Sequence, residues 1–331
     1  MGPPSRRSTT TLLGTVSSPG IAVVGPSLGL ADSPGTFGPA TPGSRTSGVQ
    51  EAIDASSAAG GGVVQILPGT YPVRSQLVFR SNVCVWGFGA VLLNAGNLPA
   101  PFASPPGEVI SAARLEGLTL DGGHVGNQVV LTLTSAQHCR GDIRVRNCGP
   151  GSTGVRITST AEATAVDDAA TTASSRSVYT LDIDDCATGL LLQGVDSRPV
   201  TNNAFIAVFV TRCTGIGLNL QEHADNNSFQ RVHVQLLADN SVGCSIGTRG
   251  QATGSNHNII LKLTVDCYKP RGAVALVLNA SRGNHIVNLL TSGQGFARIL
   301  QAAPGAVNFA VFNATEMARY EAAPETAYPR S

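Results

Sequence analysis

Residues Asn203–Val210 read NAFIAVFV, an asparagine followed by apolar residues at fixed offsets, and this pattern decides the fold. Three further copies follow it, the last with a polar final residue: NSFQRVHV at Asn227–Val234, NIILKLTV at Asn258–Val265 and NHIVNLLT at Asn284–Thr291. Successive copies start 24, 31 and 26 residues apart. This irregular period is typical of a β-solenoid, whose coils share one strand register while their loops vary in length. The repeat therefore predicts an all-β rod of stacked parallel strands.

The apolar offsets also predict which side chains face the core. Side chains alternate across a strand, so the residues five and seven positions after each asparagine should point inward and the sixth outward. The predicted core includes Val208, Val210, Val232, Val234, Leu263 and Val265. Upstream, the same apolar offsets continue without the asparagine, counted from Ala113, His138 and Arg176. Roughly nine coils result, about 40 Å of rod at the spacing of stacked strands.

The asparagines themselves form a column when the coils are stacked in register. They are Asn203, Asn227, Asn258 and Asn284. A side-chain amide both donates and accepts hydrogen bonds, so amides stacked at a corner can bond to one another and to the turn backbone. We therefore interpret this column as a structural asparagine ladder rather than as a ligand site.

The N-terminal part of the predicted rod carries a family resemblance. Residues 47–71 read SGVQEAIDASSAAGGGVVQILPGTY. Ser47 and Gln50 suggest a helical capping box, Val49 and Ile53 an apolar helix face, and a glycine run ends the helix. This arrangement resembles the opening of the pectate-lyase-like right-handed β-helix superfamily. The resemblance implies a single-stranded right-handed parallel β-helix over residues 47–302, with an N-terminal capping helix that covers the first coil.

The resemblance is specific for fold and not for activity. The superfamily contains lyases, hydrolases and epimerases, and also phage tailspikes and virion parts without catalytic activity, so the fold alone does not imply a function. In related phage spikes three such rods pack side by side about a threefold axis, and this implies a homotrimer. Whether the chain is an enzyme must be decided from its candidate site residues.

The two ends of the chain differ from the rod in composition. Residues 1–46 are rich in Gly, Pro, Ser and Thr, and we predict an arm that attaches the rod to a capsid or tail protein. An alternative is an export signal within residues 1–31, built on the Arg6-Arg7 pair, although Pro19 and Pro26 interrupt its apolar stretch. Residues 303–331 are predicted to be a C-terminal tail or cap.

Overall composition argues against several partners. A net charge of +1 does not favour nucleic acid as a partner, and no stretch approaches the roughly 20 apolar residues of a membrane helix.

Of the seven cysteines, Cys148, Cys186 and Cys213 share one offset in three coils, without the spacing typical of zinc sites. They are interpreted as a column of small buried thiols, with a redox or metal column as the alternative. We expect no cofactor and no metal.

The search for a catalytic pair yields weak candidates. Glycosidases need two carboxylates about 5 to 9.5 Å apart, and Asp182 and Asp184, with Asp185 beside them, meet this condition on one strand. The neighbouring coil places arginines next to them, so exposed charge pairing is the preferred interpretation. His233 occupies an outward position and is interpreted as a solvated surface histidine. The sequence therefore predicts no assembled catalytic site, and leaves enzymatic activity undecided.

Apolar residues at outward offsets are a more informative feature. They are Ile206, Phe209, Leu261, Val287 and Leu290. A contiguous apolar stripe on a rod usually marks an interface, so we predict a homotrimer seam. The alternative is that a long loop or the C-terminal tail folds over the stripe.

Together these features predict a structural virion protein, either a capsid decoration protein or a small tailspike, on the virion surface. The alternative is a secreted polysaccharide lyase or glycoside hydrolase, and a cell-surface polysaccharide is a candidate partner in both cases.

Overall fold

The computed structural model describes residues 20–26, 36–159, 173–195, 198–248, 254–268, 271–279, 281–303 and 306–312. Its one helix is α1 (Val49–Ala58), between the second and third strands. The strands of the first half are β1 (Ile21–Val24), β2 (Thr36–Phe37), β3 (Gly62–Ile66), β4 (Gly69–Val73), β5 (Leu77–Val78), β6 (Val83–Trp86), β7 (Ala90–Asn94), β8 (Phe102–Ala103), β9 (Ile110–Ser111), β10 (Arg114–Asp121), β11 (Val129–Thr134), β12 (Ala136–Gln137), β13 (Arg140–Arg146) and β14 (Thr153–Thr158).

The second half continues the same succession of short and long strands. They are β15 (Ser174–Ser175), β16 (Val178–Gln193), β17 (Val200–Thr201), β18 (Ala204–Leu220), β19 (Ala224–Asp225), β20 (Ser228–Phe229), β21 (Val232–Leu236), β22 (Val242–Ile246), β23 (Ile259–Ile260), β24 (Leu263–Cys267), β25 (Ala273–Leu278), β26 (Arg282–Gly293), β27 (Phe296–Ala302) and β28 (Val307–Phe312).

Each coil runs along three faces before it returns to the start of the next coil. Face A contains β1, β3, β6, β20, β23 and the first parts of β10, β13, β16, β18 and β26. Face B contains β4, β7, β21, β24 and the following parts of the same long strands. Face C contains β5, β8, β11, β14, β22, β25, β27 and the ends of β16 and β18.

The stacking is parallel throughout. The short strands β9, β12, β15, β17 and β19 form a separate sheet that closes the coil before the asparagine corner. All strand pairings between named strands of the described residues are parallel. Backbone groups are therefore satisfied by the coils above and below, as a solenoid requires. The predicted all-β parallel β-helix is confirmed.

The core lies inside the coils, as the apolar offsets predict. All six predicted core residues, from Val208 to Val265, have no solvent exposure. In β21, Val232 and Val234 are buried on the same side while His233 points out between them. The strand register predicted from the repeats is confirmed.

One upstream offset is wrong by one residue. Counting from Arg176 places Val178 at the first apolar offset of the repeat, where Phe205 and Phe229 are buried in later coils, but Val178 is 40% exposed and Tyr179 is buried instead. The cause is a bulge: the pairing of β16 with β18 shifts register after Tyr179, because Ile206 is an extra residue in β18. The backbone N–H of Ser177 donates to Asn203 Oδ1 at 3.1 Å, so Ser177 occupies the asparagine position in this coil.

The capping helix is present, but its predicted capping box is not. Val49, Ala52 and Ile53 of α1 are buried on the end of the core. The helix begins after Gly48 without a side-chain cap, and Ser47 Oγ donates to the carbonyl of Pro72 instead of capping the helix. The helix is held by tertiary contacts across the first coils, because the Gln50 side-chain amide bonds both backbone groups of Val78.

The rod extends beyond both predicted boundaries. Strand β1 stacks on β3, and its residues Ala22 and Val24 belong to the core, so the predicted arm of residues 1–46 contains the beginning of the rod. At the other end β28 stacks on β26, so the rod reaches Phe312 rather than residue 302. A four-residue apolar strand surrounded by Gly and Pro gives too weak a pattern to recognise in the sequence. Residues 1–19 and 27–35 of the predicted arm, and residues 304–305 and 313–331 of the predicted tail, lie outside the described residues.

Candidate functional site

The outward surface of face B collects most of the polar residues that the sequence singled out. Two columns of outward side chains run along this face, one through Arg144 and Asp182 and the other through Asp184. They lie in successive parallel strands whose inward neighbours form the core. This surface is therefore rigidly supported, and its chemistry depends on how its charges are paired.

The three predicted carboxylates are each paired with a cationic or potentially cationic group. Asp182 Oδ2 lies 3.3 Å from Arg144 Nε. Asp184 accepts from Arg212 and, at 2.8 Å, from Thr211 Oγ1. Asp185 lies at the following turn, with its Oδ2 3.5 Å from His124 Nδ1.

A fourth carboxylate, Asp121, is held in the same way. Its Oδ2 accepts from Arg146 Nε and from Asn147 Nδ2, both at 2.9 Å. Both contacts of Asp121 are therefore made to neighbouring protein side chains. Asp121 is not among the candidate residues predicted from the sequence.

The sequence predicts a solvated surface histidine at position 233. In the structure His233 instead contacts a carboxylate. Its Nε2 lies 2.6 Å from Asp266 Oδ2 in the next coil. Ser292 Oγ, one coil further, donates to Asp266 Oδ1 at 2.5 Å. The serine and the histidine thus bind the two oxygens of one carboxylate and are not bonded to each other, so they do not form the relay of a nucleophilic triad.

This cluster extends beyond the residues of the repeat motif. Asp266 and Ser292 each lie eight positions after an asparagine of the repeat, one position beyond the motif. Pairing of β21 with β24 and of β24 with β26 then brings them beside Gln235 and each other. Extending the repeat by a single outward position would have indicated the contact between Asp266 and Ser292.

The four predicted ladder asparagines are buried and bonded in series. Between successive coils each side-chain amide donates to the next Oδ1: Asn203 to Asn227 at 3.0 Å, Asn227 to Asn258 at 3.1 Å and Asn258 to Asn284 at 2.9 Å. Asn308 continues the series, since it accepts from Asn284 at 2.7 Å. The sequence pattern missed Asn308 because the apolar offsets after it do not match the motif. Because these amides already bond to protein groups, the column is a structural ladder and not a binding site for a ligand.

The predicted seam divides into two sets of side chains. Ile206, Leu261 and Val287 lie at the corner between faces A and B and are 40 to 49% exposed. Phe209 and Leu290 are half-buried on face B, where His233 and Thr264 separate them. Two more exposed residues, Val178 and Ile259, flank the corner on face A. We call Val178, Ile206, Ile259, Leu261 and Val287 the apolar corner.

The corner is not uniformly apolar. Gln230 occupies the same place between Ile206 and Leu261, and Ser228 precedes Ile259 in the adjacent column. Its apolar residues nevertheless recur on four of five successive coils in the second half of the rod. This surface and polar face B meet along one edge.

Two further findings bear on function. Among the described residues, no group of three His, Cys, Asp or Glu side chains is arranged to hold a metal ion. Within the same residues, no helix is both long enough and apolar enough to cross a membrane. The features described on this surface are arginine–carboxylate ion pairs, the two histidine–carboxylate pairs His124–Asp185 and His233–Asp266, and apolar side chains.

Comparison with known proteins concerns the fold. No protein-family model and no curated protein sequence matches the chain. Among solved structures, the surface adhesin PfbA of Streptococcus pneumoniae has 12% sequence identity and a TM-score of 0.46, covering 80% of this chain and 82% of the adhesin. ORF18 of Geobacillus virus E2 has 17% identity and a TM-score of 0.43, covering 80% of this chain and 58% of ORF18.

A third similar structure is the tailspike of E. coli bacteriophage HK620 in complex with a pentasaccharide. It has 11% identity and a TM-score of 0.37, and the match covers 79% of this chain and 62% of the tailspike. At such identities the likeness extends to the fold and no further. The chain is a parallel β-helix protein, and its function must be inferred from its own surface.

Proposed function

We propose that this protein is a non-catalytic structural rod of a virion surface, a capsid decoration protein or small tailspike, that assembles as a homotrimer through its apolar corner. The observation that carries the proposal is the exposure of this corner beside a polar face whose predicted carboxylates are already paired. The rod would be attached to a capsid or tail protein through its N-terminal segment. The virion as the setting is supported by the resemblance of residues 47–71 to a superfamily that includes tailspikes.

The apolar corner is costly in an isolated rod. Removing apolar surface from water contributes about 25 cal/mol for each Å², and isolated soluble proteins rarely expose apolar patches that run along several coils. Parallel rods in a closed trimer would bring the corner of each protomer against a different flank of its neighbour. Leu261, Ile259 and Val287 would lie at the centre of the contact, because they are adjacent on two successive coils.

The paired carboxylates support the non-catalytic part of the proposal. A general acid and a base need carboxyl groups in different environments, so that one stays protonated. Asp182 and Asp184 instead each face an arginine on a neighbouring coil or turn. Ion pairs of this exposure contribute about 0 to 1 kcal/mol each, and their main effect here is to give the rod a polar, well-hydrated face.

Replacing one corner residue tests the assembly. We expect the wild-type protein to sediment with the mass of a trimer and Leu261→Lys to shift it to a monomer with unchanged circular dichroism. Leu237→Lys is the matched control, because Leu237 is 51% exposed on the opposite edge of face B and should leave the trimer intact. A monomeric wild-type protein, or equal dissociation by both variants, would contradict the assembly.

The virion setting needs a separate measurement. An antibody against the purified protein should detect it in particles banded on a density gradient from the producing culture. Recovery of the protein only in the particle-free fraction would favour the secreted alternative.

A second candidate function is that of a polysaccharide lyase or glycoside hydrolase. The observation that favours it is the His233–Asp266 pair on face B, with the aromatic ring of Phe209 6.3 Å from the histidine ring. On the proposed structural role, pectin, polygalacturonate and bacterial surface polysaccharides should show no turnover, measured by new reducing ends and unsaturated products. Turnover that disappears in Asp182→Asn, Asp184→Asn or His233→Gln would establish the enzyme instead.

A further inference from the structure

Two cysteines meet inside the rod at the corner between faces B and C. Cys186 of β16 and Cys213 of β18 are directly paired in register on adjacent parallel strands. Both side chains point inward, with 2% and 0% exposure. Paired Cα atoms on adjacent strands lie about 4.8 Å apart, inside the range of about 4.4 to 6.8 Å found in disulfides.

The remaining cysteines of this region are arranged differently. Cys148, one coil earlier, directs its sulfur to the carbonyl of Asp184 at 3.6 Å rather than to a thiol. Cys244 on face C is fully buried, and its in-register neighbours are Leu218 and Leu276. Cys213 likewise directs its sulfur to a carbonyl oxygen, that of Ala187 at 3.5 Å, so the feature that sets Cys186 and Cys213 apart is their direct pairing in register.

One of the two cysteines borders an open cleft. Cys186 is among the residues that line this cleft, together with His124, Asp185 and Thr214. The pairing of β16 with β18 becomes irregular directly after Cys186, so the backbone there is not held by a continuous ladder. Cys213 has no exposed surface.

We propose that Cys186 and Cys213 form an interstrand dithiol that a low-molecular-weight disulfide oxidises to a cystine, reaching Cys186 through the cleft beside His124. In the first step the Cys186 thiolate attacks one sulfur of the small disulfide. The mixed disulfide forms, and the first small thiol leaves with the proton that Cys186 released. In the second step the Cys213 thiolate attacks the Cys186 sulfur and expels the second small thiol. Two protein thiols and one disulfide become one protein disulfide and two small thiols.

The environments of the thiols set the rate of each step. Interaction with Cys186 lowers the pKa of Cys213, against the opposing effect of burial. Interaction with Cys213, together with burial, raises the pKa of Cys186. Because the thiolate is the attacking species, the first step should be slow near neutral pH and faster at higher pH, whereas Cys213 is the better thiolate for the second step.

The test treats the native full-length protein with oxidised glutathione and measures its intact mass. We expect the loss of two hydrogens and a cross-link between the tryptic peptides 177–212 and 213–231, each of which contains one of the two cysteines. The midpoint of thermal unfolding should rise, because the cross-link constrains the unfolded chain. The control is protein unfolded in denaturant, in which all seven thiols should react with oxidised glutathione.

Variants separate this pair from general thiol oxidation. Cys186→Ser and Cys213→Ser should each abolish the cross-link, whereas Cys244→Ser, which removes a buried thiol without a thiol neighbour, should leave it unchanged. Three results would overturn the proposal. They are a native protein that keeps all its thiols, a stable glutathione adduct at Cys186, and a dominant cross-link that joins Cys148 to Cys186.

Discussion

At the residue scale, the asparagine column shows how a single side chain can specify a corner. The Oδ1 of Asn258 accepts from both the backbone N–H and the side-chain amide of Asn227. Its own amide donates to the carbonyl of Ala224 at 2.6 Å and to Asn284 Oδ1 at 2.9 Å. The side chain therefore satisfies buried groups in both neighbouring coils, which an apolar residue of similar size cannot do.

Asn258→Ala should therefore be strongly destabilising. It leaves buried donors and acceptors in three coils without partners, at a cost of about 1 to 3 kcal/mol for each such group. We expect the free energy of unfolding, measured in urea, to fall by at least about 3 kcal/mol. Asn288→Ala, at a half-exposed asparagine on the corner between faces A and B, is the control and should change it by less than about 0.5 kcal/mol.

Val232→Asp tests the alternation of side chains within one strand. Val232 is fully buried, so the aspartate would place an unpaired charge in the core and should prevent folding. Gln235→Lys introduces a charge at an outward residue of the same strand, opposite Asp266 of the next coil, and should fold normally. The yield of soluble protein and its circular dichroism distinguish the outcomes, and a folded Val232→Asp protein would contradict the register.

At the scale of strands, a column of glycines sets the distance between faces B and C. A Cβ atom on Gly243 would lie 2.6 Å from Val265 Cγ2 and 2.6 Å from the carbonyl oxygen of Ala275. Three earlier coils have an equivalent glycine on face C, and an added Cβ there would meet an aliphatic residue of face B in the following coil. The pairs are Gly154 with Ile183, Gly189 with Val210 and Gly217 with Val234. The absence of a side chain lets the core residues of face B reach the backbone of face C.

Gly243→Ala should separate the two faces locally. Its methyl group would meet both the carbonyl of the next coil and the core, and such overpacking costs about 1 to 3 kcal/mol. Gly20→Ala is the control, since nothing lies within 4 Å of its added methyl group. A shift in the urea midpoint for Gly243→Ala alone is the expected result; equal stability of the two variants would show that the faces can move apart freely.

At the scale of the whole molecule, the rod presents two surfaces with different responses to salt. Face B is dominated by ion pairs, such as Arg144–Asp182, that are partly exposed. The apolar corner beside it contains no charged residue among its five members. If protomers meet at the corner, the assembly depends on apolar burial rather than on charge.

The proposed trimer should consequently persist at high ionic strength. At about 1 M sodium chloride the Debye length is about 3 Å, so contacts between exposed charges weaken while apolar contacts do not. Sedimentation at low and high salt should give the same mass. Dissociation at high salt would indicate that face B, and not the apolar corner, forms the interface.

Much of the fold could be predicted from the sequence because it depends on local repetition. The alternation of apolar residues after Asn203, Asn227 and Asn258 placed the core side chains and their register correctly. The same count fails near Val178 because of a bulge. One extra residue in the neighbouring strand β18 changes the spacing of the apolar positions without changing the composition. The ends of the rod were misplaced for a related reason, because β1 is too short to show a period.

The sequence by itself determined the parallel β-helix, because each coil repeats the same alternation of apolar residues. The coils can bury these apolar side chains only by stacking on one another. Only the tertiary structure decided which outward residues meet. The pairing of His233 with Asp266 and of Cys186 with Cys213 joins residues 33 and 27 positions apart, across loops of unequal length. Contacts between coils depend on the sum of loop lengths and bulges, whereas the core depends only on the alternation within each strand.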